Sequence, residues 1–147
     1  MVQQSPKGSF IRWQSVTIGQ LTYAVNLILG FAVATLGFQI ALLLNEKFVP
    51  VSWQKCAFSL SLLLLGLSIL LGVAVVINRL RDFRATMTAA RLREEEAASE
   101  ALEEQRSLYR RLGARTWCLF WWQLGTFAVG IALTVLSVLA SATQKLV

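Results

Sequence analysis

The sequence predicts an all-α integral membrane protein with three transmembrane helices and a cytoplasmic helical hairpin between helices two and three. Hydrophobic residues make up 56% of its 147 residues and charged residues only 15%. The apolar residues are concentrated in three long uncharged blocks, and all five tryptophans lie near the ends of these blocks. Tryptophan prefers that position at a membrane–water interface. The composition excludes an ordinary soluble domain, a disulfide scaffold and a disordered tail.

Each uncharged block exceeds the roughly 20 residues that a helix needs to cross about 30 Å of hydrocarbon. No block contains proline or an ionisable side chain in its middle. The first block is about twice as long as the apolar part of a signal peptide, so we expect it to be retained. The predicted segments are an N-terminal tail at 1–15, helix one at 16–45, an outer turn at 46–55, helix two at 56–78, a connection at 79–115, helix three at 116–142 and a C-terminal tail at 143–147.

The distribution of basic residues predicts the orientation. The chain has 14 Lys and Arg, and eleven of them lie before helix one or in the 79–115 connection. The outer turn and the C-terminal tail hold the other three. Because cytoplasmic loops are enriched in Lys and Arg, we expect the N-terminus and the connection inside the cell and the C-terminus outside. The cytoplasmic (inner) membrane of a prokaryote is our default location.

The connection is predicted to be helical because it is rich in Ala, Leu, Glu and Arg, with neither Gly nor Pro between Gly72 and Gly113. Apolar residues recur at helical spacing in two stretches, 79–93 and 99–112. We expect two amphipathic helices that extend helices two and three, with a turn near 95–99. Ser99 with the glutamates that follow it suits a helix start.

Charge in the connection is divided into three blocks, with net charges of +4, −6 and +4 along the chain. A hairpin places both basic blocks beside the membrane, where arginines attract anionic lipid headgroups by about 1 kcal/mol each. The candidate headgroup contacts are Arg79, Arg81, Arg84, Arg110, Arg111 and Arg115.

The same hairpin has two interpretations. Its charges could serve only topology and solubility, or its acidic tip and apolar stripe could dock a cytosolic partner. The candidate docking residues are Leu102, Gln105, Leu108, Tyr109 and Leu112.

Small and polar residues form stripes along helices one and three. Such residues allow close helix packing and hydrogen bonds between helices. The alternative is that a stripe lines a water-filled path, which requires self-assembly because three helices are too few to enclose a pore. The candidates for packing or pore lining are Asn26, Gly30, Gly37, Gln123, Gly130, Thr134 and Ser137.

Catalysis finds little support in the sequence. The chain has no histidine, which removes the commonest general base and many metal sites. It also lacks a Gly-rich phosphate loop and a Gly-x-Ser-x-Gly elbow. We therefore expect no enzyme activity, cofactor or metal. The basic residues flank the spans without an aromatic platform, so we expect no nucleic-acid partner.

The expected function is that of a non-enzymatic accessory or interaction subunit that presents the cytoplasmic hairpin to a partner. Its expected surroundings are the lipid bilayer with its anionic lipids, and a homo-oligomer or a larger membrane complex. The alternative is a self-assembling channel or membrane-permeabilising effector.

Overall fold

The described part of the chain folds into three long α-helices. The computed structural model describes residues 6–45, 52–94 and 99–146, and only the backbone at 6–15, 89, 92–94, 99–102, 105–106, 109 and 144–146. The helices are α1 (Pro6–Leu43), α2 (Ser52–Glu94) and α3 (Ser99–Leu146). Apart from a short turn at Leu44 and Asn45, every described residue is helical.

The first helix begins before its membrane-spanning stretch. α1 starts at Pro6, within the segment 1–15 that we predicted as a tail, and the stretch that is apolar enough to span a membrane starts at Val16. Proline suits the first helical position, because its missing N–H would have no partner there and its φ is already helical. At the other end, the Leu44 N–H donates to the Ile40 carbonyl at 3.1 Å and extends the last turn.

Both α2 and α3 are far longer than a bilayer is thick. With 43 and 48 residues, they extend about 65 and 70 Å, whereas the hydrocarbon core measures about 30 Å. The stretches 79–93 and 99–112 are helical and continuous with the spans, since α2 continues unbroken to Glu94 and α3 begins at Ser99. Residues 95–98 lie outside the described part of the chain.

Three stretches of these helices are long and apolar enough to cross a membrane. They are Val16–Leu43, Ser52–Thr88 and Arg110–Thr143. Each overlaps one of the three spans predicted from the uncharged blocks.

The helices pack as an antiparallel bundle centred on α2. Contacts between α2 and α3 are the most extensive, α1 packs mainly on α2, and α1 touches α3 least. Ser61 and Asn78 of α2 donate hydrogen bonds to Gly130 and Thr116 of α3, so the two helices run in opposite directions. We call the end near Asn78 and Thr116 the connection end.

The buried face of α2 repeats with the spacing of a coiled coil. Buried positions alternate in steps of four and three residues, at Gln54, Phe58, Ser61, Leu65, Ser68, Gly72 and Val75. Such a 3.5-residue period keeps one face of a helix turned towards its partner along its length. In this repeat, a polar residue occupies every seventh position at 54, 61 and 68.

The bundle is polar inside and apolar outside. Among the non-glycine side chains that the structure describes, ten buried ones are polar and seven are apolar. The outer surface is covered by large apolar groups such as Leu63, 71% exposed, and Leu70, 68% exposed. A soluble protein shows the opposite distribution, because burial of apolar surface is what stabilises it in water. In lipid, association relies instead on close packing and interhelical hydrogen bonds.

Candidate functional site

A buried hydrogen-bond cluster joins all three helices. The Gln39 amide on α1 donates to the Ser61 hydroxyl on α2 at 2.7 Å and to the Thr134 hydroxyl on α3 at 2.5 Å. Both hydroxyls donate in turn to the Gly130 carbonyl, at 2.7 and 2.9 Å. All donors of the cluster are thereby satisfied, while the Gln39 carbonyl oxygen has no partner in the described part of the chain.

A second buried polar level lies nearer the connection end. Ser68 on α2 donates to the Gln123 backbone carbonyl at 3.1 Å. The Gln123 side chain is fully buried, yet neither of its amide atoms bonds to a described residue. A Cβ built on Gly72 would lie 2.6 Å from the Gln123 amide nitrogen and 2.7 Å from a methyl carbon of Leu29. Only glycine therefore lets the three helices approach as closely as they do here.

The connection end is closed by Asn78 on α2. Its amide donates to the Leu112 carbonyl and to the Thr116 hydroxyl of α3, each at 2.8 Å. Asn78 is the last residue before the charged part of α2. This bond pair fixes the register of α2 and α3 at the point where the apolar blocks end.

Two further contacts define the opposite half of the bundle. The Ser141 hydroxyl donates to the side-chain amide oxygen of Gln54 at 3.4 Å. A Cβ on Gly130 would lie 3.0 Å from Leu65 Cγ, so α2 and α3 are in close contact at this glycine.

The structure separates the seven packing or pore-lining candidates into two groups. Gln123, Gly130, Thr134 and Ser137 of α3 are all buried against the other helices. Asn26, Gly30 and Gly37 of α1 are exposed on the bundle surface, and a Cβ on either glycine would meet no described atom within 4 Å.

The buried face of α1 is not the small-residue stripe that was predicted to pack. It consists of Val25, Ile28, Ala32 and Gln39. The sequence analysis did not identify Gln39 as a buried hydrogen-bonding residue. It also did not predict the hydrogen bond between Asn78 and Thr116. A usable signal existed, because Gln39 lies seven and fourteen residues after Ala32 and Val25 and so shares their heptad position.

The Arg79 side chain makes its contacts within the bundle. Its guanidinium donates to the Thr22 hydroxyl and, at 3.1 Å, to the Ile18 carbonyl of α1. Its central carbon also lies 5.7 Å from the centre of the Phe83 ring, within the range of a cation–π contact. Arg79 thus ties the beginning of the apolar part of α1 to the end of that of α2.

Two other headgroup candidates come together from separate helices. Arg81 of α2 and Arg115 of α3 line the same hollow on the bundle surface. Arg84, Arg110 and Arg111 are exposed.

The docking candidates lie on the part of α3 nearest its start. The described side chains are Leu108, which is 45% exposed, and Leu112, which is half-buried. The side chains of Leu102, Gln105 and Tyr109 lie outside the described part. On the part of α2 that follows Asn78, Leu80, Phe83 and Met87 are also exposed, Met87 by 72%.

The described residues contain no group of three or more His, Cys, Asp or Glu side chains that could hold a metal ion. Cys56 and Cys118 are both free thiols. They lie in opposite halves of the bundle, near the Gln54 level and the Asn78 level respectively.

Comparison with known proteins gives no match to a family model, and no significant match to a curated protein or to a solved structure.

Proposed function

We propose that this chain is a non-enzymatic accessory or interaction subunit of a membrane complex, anchored by three spans of the inner membrane. Its N-terminus and the 79–115 segment face the cytoplasm and its C-terminus faces outwards. The partner binds the charged helical hairpin formed by the parts of α2 and α3 that extend past the membrane. Neutral and anionic lipids surround the spans.

The observation that carries this proposal is the continuity of α2 and α3 beyond their apolar blocks. α2 continues for 16 residues after Asn78, and α3 runs for 17 residues before Thr116. At 1.5 Å per residue, each extension projects about 25 Å. Rigid helices that project from a membrane anchor present a fixed side-chain pattern to a partner in water.

The arrangement of polar residues favours an interaction subunit over a pore. Gln123, Thr134 and Ser137, the polar pore-lining candidates of α3, are buried between helices of the same chain. To line a channel they would have to leave the contacts that hold the bundle together. Their burial supports a role in packing.

The exposed apolar side chains of the projecting helices supply a docking surface. Leu108 has the exposed Glu104 one helical turn before it and the exposed Arg111 one turn after it. An apolar centre with a polar rim is the usual anatomy of a protein interface. At many interfaces a few well-packed residues near the centre carry most of the binding energy.

The test is co-purification of the full-length chain with its native membrane partner. We expect Leu108→Glu to remove a partner that is stoichiometric with the unmodified chain, because the new carboxylate meets an apolar pocket. Ser107→Glu is the matched control, since it adds the same charge to an exposed neighbour about 100° round the helix. A partner retained equally by both variants would refute docking at this surface.

The alternative function is a self-assembling channel or permeabilising effector. The exposed small-residue stripe of α1 favours it, because Asn26, Gly30 and Gly37 remain available to a second copy. Because a Cβ on Gly30 meets nothing within 4 Å in the described part of the chain, Gly30→Leu should alter vesicle leakage without harming the bundle. Vesicles that stay sealed at high protein density contradict the channel.

A further inference from the structure

A basic hollow lies between α2 and α3 at the connection end. It has a volume of about 260 Å³ and is lined by Ala74, Ile77, Asn78, Arg81, Arg115 and Leu119. On the side of the apolar blocks its wall is made of Ala74, Ile77 and Leu119. On the other side lie the two arginines, which are 34 positions apart in the sequence.

The positive charge of this hollow has no counter-charge among the described residues. No acidic side chain lines it, and neither Arg81 nor Arg115 makes a hydrogen bond or ion pair within the described part of the chain. Asn78 uses its amide donors on Leu112 and Thr116. Two like charges from different helices that line one hollow without a protein partner in the described part of the chain attract an anion.

We propose that the hollow binds one anionic glycerophospholipid, with its phosphate between Arg81 and Arg115 and its acyl chain along Ile77 and Leu119. Guanidinium groups match phosphate geometry through paired N–H donors. Basic pockets between transmembrane helices are a recurrent site for anionic headgroups. The apolar wall next to the charged pair selects a phosphate that carries a lipid tail over free phosphate. This site does not depend on the partner proposed above.

Neighbouring arginines provide internal comparisons. Arg79 already donates to Thr22 and Ile18 of α1, so fewer of its donors remain for a ligand. Arg84 is exposed on α2 and does not line this hollow. Loss of the Arg84 charge therefore tests general attraction to the membrane without touching the site.

The test is native mass spectrometry of the full-length chain, released from nanodiscs that contain equal amounts of phosphatidylglycerol and phosphatidylcholine. We expect the unmodified chain to retain one phosphatidylglycerol. Arg81→Ala or Arg115→Ala should each lower its occupancy about fivefold, which corresponds to about 1 kcal/mol. Arg84→Ala should leave it unchanged. Ile77→Trp keeps both charges but fills the hollow, so it should also expel the lipid.

Each other outcome overturns the proposal. If Arg84→Ala lowers occupancy as much as Arg81→Ala does, the attraction is diffuse. If phosphatidylcholine is retained equally well, the hollow selects acyl chains and not charge. If inorganic phosphate displaces the lipid, the site is a free-anion site. If Ile77→Trp retains the lipid, the lipid lies elsewhere. Circular dichroism and thermal unfolding of every variant separate lost binding from lost folding.

Discussion

The Gln39 amide on α1 donates a 2.5 Å hydrogen bond to the Thr134 hydroxyl on α3, across 95 positions of sequence. The same nitrogen also donates to Ser61 on α2, so one side chain reaches both other helices. Because α1 and α3 have few other contacts, this glutamine is a main link between them. In a bundle with an apolar exterior, such bonds supply the specificity that a hydrophobic core gives to soluble proteins.

Replacement of Gln39 should weaken the packing of α1 against the other two helices. Interhelical hydrogen bonds in membranes contribute about 0.6 kcal/mol each, so Gln39→Leu should lower the free energy of unfolding by about 1 kcal/mol. Tryptophan fluorescence during detergent-induced unfolding measures the change. Asn26→Leu is the matched control, since Asn26 is an exposed amide on the same helix with no hydrogen bond within the described residues. Equal effects of the two substitutions would contradict the role given to Gln39.

The close contact of the three helices at Gly72 leads to a second prediction. Gly72→Val places a branched side chain against Gln123 and Leu29, and overpacking of this kind costs about 1–3 kcal/mol. The control is Gly66→Val on the same helix, where a Cβ meets nothing within 4 Å among the residues that the structure describes. Both variants replace glycine by valine within α2, so the change in helix propensity is the same. The difference between their melting temperatures therefore measures the cost of overpacking at Gly72. No difference between them would mean that the helices are not in close contact at Gly72.

The proposed orientation predicts which engineered thiols are reached from outside the cell. In a chain whose native thiols are removed by Cys56→Ser and Cys118→Ser, Ser52→Cys should react with a membrane-impermeant maleimide on intact cells. Ser99→Cys should react only after permeabilisation, because the 79–115 segment lies inside. The reverse pattern would invert the topology and place the hairpin and its partner on the other side of the membrane.

Sequence reasoning reaches the three apolar helices because hydropathy over some 20 residues is a strong, local signal. It also selects the face of α3 that contains Gln123 and Thr134, which the structure buries. The absence of Gly and Pro between Gly72 and Gly113 anticipates long helices here.

The face of α1 is harder to predict for a physical reason. Helix one has a stripe with Gly30 and Gly37 that suits close packing, and a separate face with Gln39. Small residues show only where a partner could come close, whereas a glutamine in lipid must find a hydrogen-bond partner. That requirement turns Gln39 inwards and leaves the glycine stripe exposed. The pairing of Arg81 with Arg115 depends on the register of α2 and α3, which no local pattern specifies.

The central claim is that the chain works as a subunit of a larger assembly, and the mass of the gently solubilised complex tests it most directly. We expect a heteromeric particle that contains a stoichiometric second protein. This protein should be lost in Leu108→Glu and retained in Ser107→Glu. A particle whose mass is an integer multiple of 16.3 kDa, once bound lipid and detergent are subtracted, would contradict the account. Such a homo-oligomer would favour the channel.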